Sequence, residues 1–211
     1  MCVDSMEDEV PMVVVVDDDP SILKSLDRLL TGHGYRVRLH AGPDDFFQAG
    51  QPPAPACLLL DNQLGDCLTG VQVHEAIMRL GWFIPTVFLT AYWNVQVVVN
   101  VMRAGADGFL TKPFDPAELL DAVALALDHS RSRHQAAMRV AQARAKVAAL
   151  SARELEIVRM VVNGLLNKEI ATQLDIAVVT VKLHRGRAMH KLGAGNSADL
   201  VHIAGLADIT R

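Results

Sequence analysis

The sequence predicts a doubly wound α/β domain with a five-stranded parallel sheet, followed by a small domain built only of helices. Between residues 12 and 128, short apolar runs alternate five times with segments of helical periodicity. From Ser151 onward only helical periodicity is found. The charge divides in the same way, because residues 1–128 hold 7 Lys and Arg against 18 Asp and Glu, whereas residues 129–211 hold 13 against 6. These observations indicate two domains with different partners, of which the basic one suits a polyanion.

Five apolar runs are predicted to be the strands of the parallel sheet, covered by helices on both faces. The first and third runs, MVVVVD and ACLLLD, carry no polar residue before the final aspartate, which is typical of buried strands. The second run alternates polar and apolar residues, which is typical of a strand near a sheet edge. The predicted strands are 12–17, 35–40, 56–61, 84–90 and 108–111.

Each predicted strand is followed by a segment whose apolar residues recur at helical spacing. Gly50 and Gly105 are expected to end the second and fourth of these helices. Residues 129–149 are rich in Ala, Arg and Gln and contain no Pro or Gly, so they are predicted to form a helical, basic connector. The helices predicted for the first domain are 21–30, 44–50, 71–80, 95–105 and 115–130.

The second domain is predicted to contain a helix-turn-helix. Its first helix begins with a capping box, in which Ser151 is the N-cap and Glu154 reaches back to it. Two short helices then meet at a tight turn, DIA, and the second of them carries most of the cations. His190 and Lys191 are interpreted as cations of a solvated helix face. The predicted helices are 154–163, 167–174, 178–192 and 197–206.

The three cysteines and the N-terminus favour a soluble protein of the reducing cytoplasm. The cysteines form no CxxC pair and are odd in number, so free thiols are expected. A redox role for Cys57 or Cys67 is the alternative interpretation. The acidic N-terminus lacks an apolar signal segment, and no stretch reaches the roughly 20 apolar residues of a membrane span.

Acidic residues follow two of the predicted strands directly. Asp17, Asp18 and Asp19 come after the first strand, and Asp61 ends the third. Ligands bind beyond the carboxyl ends of parallel strands, so these carboxylates are expected to converge there if the strands are neighbours. Such a cluster is unfavourable without a divalent cation, and Mg²⁺ is the ion that a few carboxylate oxygens and several waters suit.

Two further strand ends carry polar side chains that suit a phosphoryl group. Thr90 closes the fourth predicted strand, and Lys112 follows the fifth. A hydroxyl and an ammonium facing a metal–carboxylate site match the oxygens of a tetrahedral phosphoryl group. Asp61 is then expected to be the nucleophile that accepts phosphate.

Six motifs together resemble those of a known family: VDDDP, LLLD, LTA, RAGADGFLTKPF, LSARELEIVRMVVNGLLNKEIATQL and TVKLHRGRAMHKL. Residues 12–128 resemble the receiver domain of two-component response regulators. Residues 150–207 resemble the LuxR-type helix-turn-helix of the NarL/FixJ group. The resemblance predicts an N-terminal tail at 1–11, a flavodoxin-like receiver at 12–128 with strand order 2-1-3-4-5, a linker at 129–149 and a DNA-binding domain at 150–211.

The resemblance implies a role for each matching residue. In the receiver, Asp61 is the phosphoacceptor and Phe109 the aromatic switch, while Thr90 and Lys112 contact phosphoryl oxygens. The implied Mg²⁺ ligands are Asp17, Asp18, Asp61 and the backbone carbonyl of Gln63, with Asp18 favoured over Asp17 as a direct ligand. The implied groove contacts are Thr180, Lys182, Leu183, His184 and Arg185, with Arg187 and Lys168 near the DNA backbone.

The chain departs from the family pattern in the loop after Asp61. Gly65 stands where the family usually has Pro, and Gly70 lies nine rather than eight residues after Asp61. The loop is therefore one residue longer and is expected to be more mobile. Asp66 adds a charge nearby, so the rate of phosphorylation and the lifetime of the phosphorylated form are the properties that this departure is expected to change.

The turn of the helix-turn-helix also departs from the usual Leu-Gly-Ile-Ser. Asp175 replaces the Gly, and Ala177 replaces the helix-capping Ser, a loss of about 1 kcal/mol. Val178 and Val179 stand where polar residues are common, and both are candidates for contact with thymine methyl groups.

The predicted function is that of a bacterial response regulator, a phosphoprotein rather than an enzyme. It accepts phosphate from a histidine kinase, pairs with a second copy through the apolar helix at 95–105, and binds promoter DNA. One alternative keeps the fold but makes DNA binding independent of phosphate. Another is a phosphohydrolase of the haloacid dehalogenase type, whose DxD motif could be Asp17 and Asp19; the downstream acidic pair that it requires is not found in the sequence.

Overall fold

The structure, a computed structural model, describes residues 10–65, 68–91, 99 and 101–209. These residues divide into two compact units, one reaching His134 and the other starting at Gln135. Each unit has an apolar core of its own. Among the helices of the described ranges, none is both long and apolar enough to cross a bilayer.

The first unit is built on a five-stranded parallel sheet with strand order β2-β1-β3-β6-β7. Counting only the strands of this sheet, the order is the predicted 2-1-3-4-5. A separate antiparallel pair, β4 and β5, lies in the loop after β3 and was not predicted. The strands are β1 (Met12–Val16), β2 (Arg36–His40), β3 (Ala56–Asp61), β4 (Gln63–Leu64), β5 (Leu68–Thr69), β6 (Thr86–Thr90) and β7 (Gly108–Thr111).

Helices cover both faces of this sheet, which explains why β1 is apolar throughout and β3 is apolar up to its last residue, Asp61. Along β1, Val14 and Val16 pack into one core cluster, whereas Val13 and Val15 pack into the other. Of the predicted helix at 95–105, the structure describes Val99 and residues 101–105, and Val99 and 101–103 are helical. The helices are α1 (Pro20–Gly32), α2 (Pro43–Ala49), α3 (Gly70–Arg79) and α4 (Pro116–Ala148).

Helix α4 joins two predicted segments, the last helix of the first domain and the connector, without a break. Three contacts beyond residue 128 hold it to the sheet. His129 Nδ1 lies 3.0 Å from Asp107 Oδ1, and Ser130 Oγ accepts a hydrogen bond of 3.0 Å from the Ala56 N–H. The Arg133 guanidinium carbon lies 4.7 Å from the centre of the Phe83 ring. Side chains beyond the predicted limit at 128 therefore still pack against the first unit. The domain limits themselves stay predictions.

The second unit contains only helices, as predicted. Its core is formed by apolar residues of all four, including Ile157, Ile170, Val181 and Leu200. The predicted capping box is present, because Ser151 Oγ accepts from the Glu154 N–H and Glu154 Oε2 accepts from the Ser151 N–H. The helices are α5 (Ala152–Val162), α6 (Asn167–Gln173), α7 (Val178–Leu192) and α8 (Ser197–Leu206).

The turn between α6 and α7 shows the consequences of its unusual residues. Asp175 has a φ of +50°, a left-handed conformation that glycine adopts more readily than aspartate. Ala177 is the N-cap of α7 and makes no side-chain hydrogen bond to the helix. The predicted absence of a cap at this position is confirmed.

Cys57 is a free thiol with no access to solvent. Burial, with a smaller contribution from the charge of Asp107, raises its pKa to about 12. A thiol with so high a pKa is a poor nucleophile, which argues against a redox role for this cysteine. Cys2 and Cys67 lie outside the described residues.

Candidate functional site

Three of the predicted acidic residues meet at the carboxyl edge of the sheet. Asp17 follows β1 directly and Asp61 ends β3, and these strands are neighbours in which Val16 pairs with Leu60. One carboxylate oxygen from each of Asp17, Asp18 and Asp61 lies within 4.8 Å of the others. Asp17 is fully buried and Asp61 is 6% exposed, whereas Asp18 is exposed.

Lys112 places its ammonium group among these carboxylates. Its Nζ lies 2.5 Å from Asp17 Oδ2 and 3.0 Å from Asp61 Oδ2. Its backbone N–H donates a hydrogen bond of 2.7 Å to the carbonyl of Thr90, which ties the ends of β6 and β7 together. The structure thus brings together Asp17, Asp61, Thr90 and Lys112 from four strand ends.

Burial and neighbouring charges both act on the pKa values of Asp61 and Lys112. Burial raises the pKa of Asp61, and the hydrogen bond and charge of Lys112 only partly offset this effect. For Lys112, burial acts to lower the pKa, but the hydrogen bonds to Asp17 and Asp61 outweigh it, so the pKa is raised. Lys112 therefore stays protonated at neutral pH and compensates the negative charge of the cluster.

Asp19, the third acidic residue after β1, caps a helix. Asp19 is exposed and is the N-cap of α1, because its Oδ1 accepts hydrogen bonds from the Ser21 N–H at 2.8 Å and the Ser21 hydroxyl at 2.7 Å. Helix capping thus occupies Asp19, while Asp17 and Asp18 approach Asp61. An oxygen of Asp17 also accepts a hydrogen bond from the Asp19 N–H, at 2.9 Å.

The cluster opens into a cleft of about 730 Å³, lined by Asp18, Asp61, Gln63 and Lys112 among others. The Gln63 N–H donates to Asp61 Oδ1 at 3.2 Å. Three converging carboxylates, of which Asp18 is exposed to solvent, supply the hard oxygen ligands that Mg²⁺ takes, and water can complete the coordination. The residues present therefore fit a magnesium ion.

Two further residues predicted for the receiver lie on the neighbouring strands β6 and β7. Thr90 is the last residue of β6 and is buried. Phe109 lies on β7 opposite Phe88 of β6 and is half-buried. The role of Phe109 as a switch stays a prediction.

The lengthened loop after Asp61 folds into the β4–β5 hairpin, and Gly70 anchors its far end. The Gly70 N–H donates to the Asn62 carbonyl at 3.0 Å. A Cβ on Gly70 would lie 2.4 Å from the Asp61 carbonyl oxygen and 2.9 Å from the Asn62 Cα, both closer than van der Waals contact. Only glycine fits here without a shift of the neighbouring backbone. Asp66 lies outside the described residues, as does part of the loop predicted to be mobile.

A second candidate site is the exposed face of α7. At 100° per residue, Val179, Lys182, Leu183, Gly186, Arg187 and His190 fall within an arc of about 140°. All six are exposed. The other predicted DNA contacts differ from one another: Lys168 is exposed on α6, whereas Thr180 and His184 are half-buried.

Arg185 points away from this face. Its Nη1 donates to Asn167 Oδ1 at 3.0 Å, and its Nη2 donates to Ser197 Oγ at 2.8 Å, so it links α7 to the first residues of α6 and α8. The predicted contact between Arg185 and DNA requires that the guanidinium share or release these bonds. Sequence reasoning missed this link, for which the sequence carries no local signal.

Lys191 is exposed, in agreement with the interpretation of a solvated cation, but it also forms an ion pair. Its Nζ lies 2.6 Å from Glu154 Oε2 and donates to the Ala149 carbonyl at 3.3 Å. Lys191 therefore ties the end of α7 to the start of α5. The capping box identified Glu154, but only its local partner, Ser151, was visible in the sequence.

Comparison with known families gives two matches that together span most of the chain. The family model for the response regulator receiver domain matches residues 13–124. The model for bacterial regulatory proteins of the luxR family matches residues 148–204.

Individual proteins align over almost the whole length. Nodulation protein W of Bradyrhizobium diazoefficiens is 36% identical over 193 residues, covering 92% of this chain and 85% of the relative. The transcriptional regulatory protein FixJ of Azorhizobium caulinodans is 32% identical over 204 residues, covering 97% and 96%. The solved structure of the response regulator StyR superposes with a TM-score of 0.83 at 36% identity, covering 92% of this chain and 98% of that one.

Proposed function

The chain belongs to the response regulators that join a receiver domain to a LuxR-type DNA-binding domain, and from this premise we propose that phosphorylation of Asp61 controls its binding to promoter DNA. Members of this family regulate transcription and are not classical enzymes, which sets aside the phosphohydrolase alternative. The observation that carries the proposal is the convergence of Asp17, Asp18, Asp61 and Lys112 at one edge of the sheet, where all but the buried Asp17 line a solvent-open cleft.

The chemistry proposed for Asp61 is nucleophilic attack on a phosphohistidine of a histidine kinase. A carboxylate oxygen of Asp61 forms the new bond to phosphorus, the bond from phosphorus to the imidazole nitrogen breaks, and its electron pair returns to the imidazole. Lys112 and the Thr90 hydroxyl hold oxygens of the transferred group. Asp17, Asp18, Asp61 and the Gln63 carbonyl would hold Mg²⁺, which would supply positive charge to the phosphoryl oxygens. Any hydrolysis of the acyl phosphate by the protein itself is slow.

The proposed output is a change of shape that favours pairing with a second copy. Thr90 moves toward the phosphoryl group and Phe109 turns into the space that it leaves, so a local charge change biases a two-state element. The apolar helix predicted at 95–105, five of whose eleven residues lie outside the described ranges, is the proposed contact between copies. Because promoter DNA lies in the bacterial cytoplasm, we propose that the protein acts there.

In the second unit, α7 is proposed to lie in the major groove of DNA. Its exposed cations, Lys182 and Arg187, reach phosphates or base edges, with Lys168 on α6 near the backbone. Thr180, Leu183, His184 and Arg185 complete the proposed contact set. Two copies would place two such helices on successive turns of the operator.

The test is phosphorylation of the full chain by a small-molecule phosphoryl donor with Mg²⁺, read as a mass increase of one phosphoryl group. Wild type is expected to be labelled and Asp61→Asn is not. Asp19→Asn is the matched control, because it makes the same change from aspartate to asparagine in the residues that follow β1 but leaves a good N-cap. It is expected to be labelled like wild type.

Operator binding with and without the donor completes the experiment. Labelled wild type is expected to bind more tightly than unlabelled protein, and Asp61→Asn is expected not to respond. A folded wild type that binds its operator but takes up no label would instead favour the regulator that works without phosphate.

A further inference from the structure

We propose that Val179 and Leu183 determine operator sequence by contacting the 5-methyl groups of thymines, across a notch formed at Gly186. The inference rests on the proposed function, since it requires α7 to enter the major groove. It goes further by naming the chemical feature of the bases that the helix recognises and the side chains that recognise it.

The centre of the exposed face of α7 is apolar. Val179 is 71% exposed and Leu183 is 52% exposed, and they lie four residues apart, one turn along the same face. Gly186 follows on that face and has no side chain. A Cβ built on Gly186 has nothing within 4 Å, so core packing does not require a glycine here.

The cations of α7 flank this apolar centre. A shallow cleft of about 410 Å³ has Gly186 on its lining together with Lys182, Leu183, Arg187 and His190. Lys182 and Arg187 lie on opposite sides of the Val179–Leu183 line, by about 60° and 80° around the helix from Val179. Cations on both sides match the two phosphate backbones that border a groove.

The neighbouring valine is not available for this contact. Val178 packs against the apolar core of the second unit, whereas Val179 projects into solvent. Of the two valines that replace polar residues in the sequence, the structure therefore leaves only Val179 for DNA. Single exposed apolar residues are common on protein surfaces, but here two share one face of the helix that binds DNA.

Base chemistry then restricts what this face can recognise. In the major groove each base pair presents hydrogen-bonding groups, and the thymine methyl is the one apolar feature. Valine and leucine side chains cannot pair with a donor or acceptor, and burying such a group against them leaves it unsatisfied. Bases opposite Val179 and Leu183 are therefore selected for a methyl group, and thymine is the base that supplies it.

The experiment uses the full chain and an operator enriched from a random duplex library, in the presence of Mg²⁺ and phosphoryl donor. Each thymine of the enriched operator is replaced in turn by uracil, which removes the methyl group and nothing else. At one or more thymines, wild type is expected to lose affinity about fourfold, the effect of one buried methyl group. Uracil at thymines that do not face the two side chains is expected to have no effect.

Val179→Ala and Leu183→Ala assign the lost affinity to a side chain. Both positions are exposed and helical, so alanine is compatible with the fold. At one of the sensitive positions, each variant is expected to have the same affinity for the operator with thymine and for the operator with uracil. Met138→Ala, an exposed apolar residue on α4, is the control that keeps the full difference between thymine and uracil.

Two results overturn the inference while the proposed function stands. The first is a wild type that binds its enriched operator but responds to no uracil replacement. The second is a difference between thymine and uracil that persists undiminished in both alanine variants. If wild type enriches no sequence at all, the proposed function fails, and the inference fails with it.

Discussion

The Nζ of Lys112 lies 3.0 Å from Asp61 Oδ2, although the two residues are 51 positions apart in the chain. The same nitrogen contacts Asp17 Oδ2. One cation thus compensates two carboxylates that have little or no access to solvent. This arrangement explains how the fold tolerates an acidic cluster before any metal binds.

Lys112→Ala is expected to make the stability of the first unit depend strongly on Mg²⁺. Without a divalent cation, loss of the ammonium leaves Asp17 and Asp61 uncompensated, and the free energy of unfolding is expected to fall by about 3 kcal/mol. Added Mg²⁺ should restore most of this loss, because its charge takes the place of the lysine. Urea unfolding in the presence of a chelator measures the loss of stability, and urea unfolding in the presence of Mg²⁺ measures how much of it is restored. Equal responses of wild type and variant to Mg²⁺ would contradict the interpretation.

Gly70→Ala is expected to destabilise the first unit by about 1–3 kcal/mol, as overpacking does. The added Cβ would lie 2.4 Å from the Asp61 carbonyl oxygen, so either α3 or the phosphoacceptor strand must shift. Uptake of phosphate is expected to fall as well, since the shift acts on Asp61 itself. Gly32→Ala, at the exposed end of α1 with nothing within 4 Å of the new Cβ, is the control and should not be destabilising.

Ala177→Ser is expected to stabilise the second unit by about 1 kcal/mol. Ala177 is the N-cap of α7 and leaves the first turn without a side-chain acceptor, which the serine hydroxyl would supply. Ala145→Ser, at an exposed interior position of α4, is the control and should give no gain. Thermal unfolding of the full chain measures the difference, and equal changes for both serines would rule out capping as the cause.

Glu154 is expected to make the second unit less stable as the pH falls from about 4.5 to about 2. Its hydrogen bond to Lys191, helped by the Ser151 N–H, lowers its pKa from 4.5 to about 2. The unfolded chain therefore takes up the proton at a higher pH than the folded one. The stabilisation is complete above pH 4.5 and is lost as the pH approaches the folded value.

Glu154→Gln tests this dependence. The variant should be less stable than wild type at neutral pH, and its stability should change less between pH 4.5 and 2, because no carboxylate titrates there. Hydrogen exchange of the α5 and α7 amides in the full chain measures the opening free energy. A variant with the same pH profile as wild type would place the acid sensitivity elsewhere.

Gly186→Ala is expected to raise stability and lower DNA affinity. Replacing glycine in an exposed helix interior by alanine gains about 1 kcal/mol. The new methyl group would project from the exposed face of α7, where close approach of a base pair is proposed. Thermal unfolding and operator binding of the same preparation measure the two effects. If the variant bound DNA as tightly as wild type, the notch would have no part in recognition.

The sequence was sufficient to predict most of the fold. The five strands of the parallel sheet were predicted correctly, because apolar runs of this length and composition bury both faces of such a sheet, and their order was implied by the resemblance to receiver domains. The convergence of Asp17, Asp18 and Asp61 was also predicted, since parallel neighbours end at one edge. The resemblance left Asp19, next to them in the chain, out of the metal ligands as a solvated neighbour, and the structure shows that it is exposed and is a helix cap.

Local patterns by themselves determined where this protein turns, caps its helices and places its charges, because these features depend on residues a few positions apart. The tertiary structure decided which distant groups meet. Lys112 pairs with Asp17 and Asp61, Gly70 lies against the Asp61 carbonyl, and Arg185 links three helices. Such contacts follow from distances across the folded chain that no spacing in the sequence encodes. For the same reason only packing shows that Val178 is in the core and Val179 is exposed.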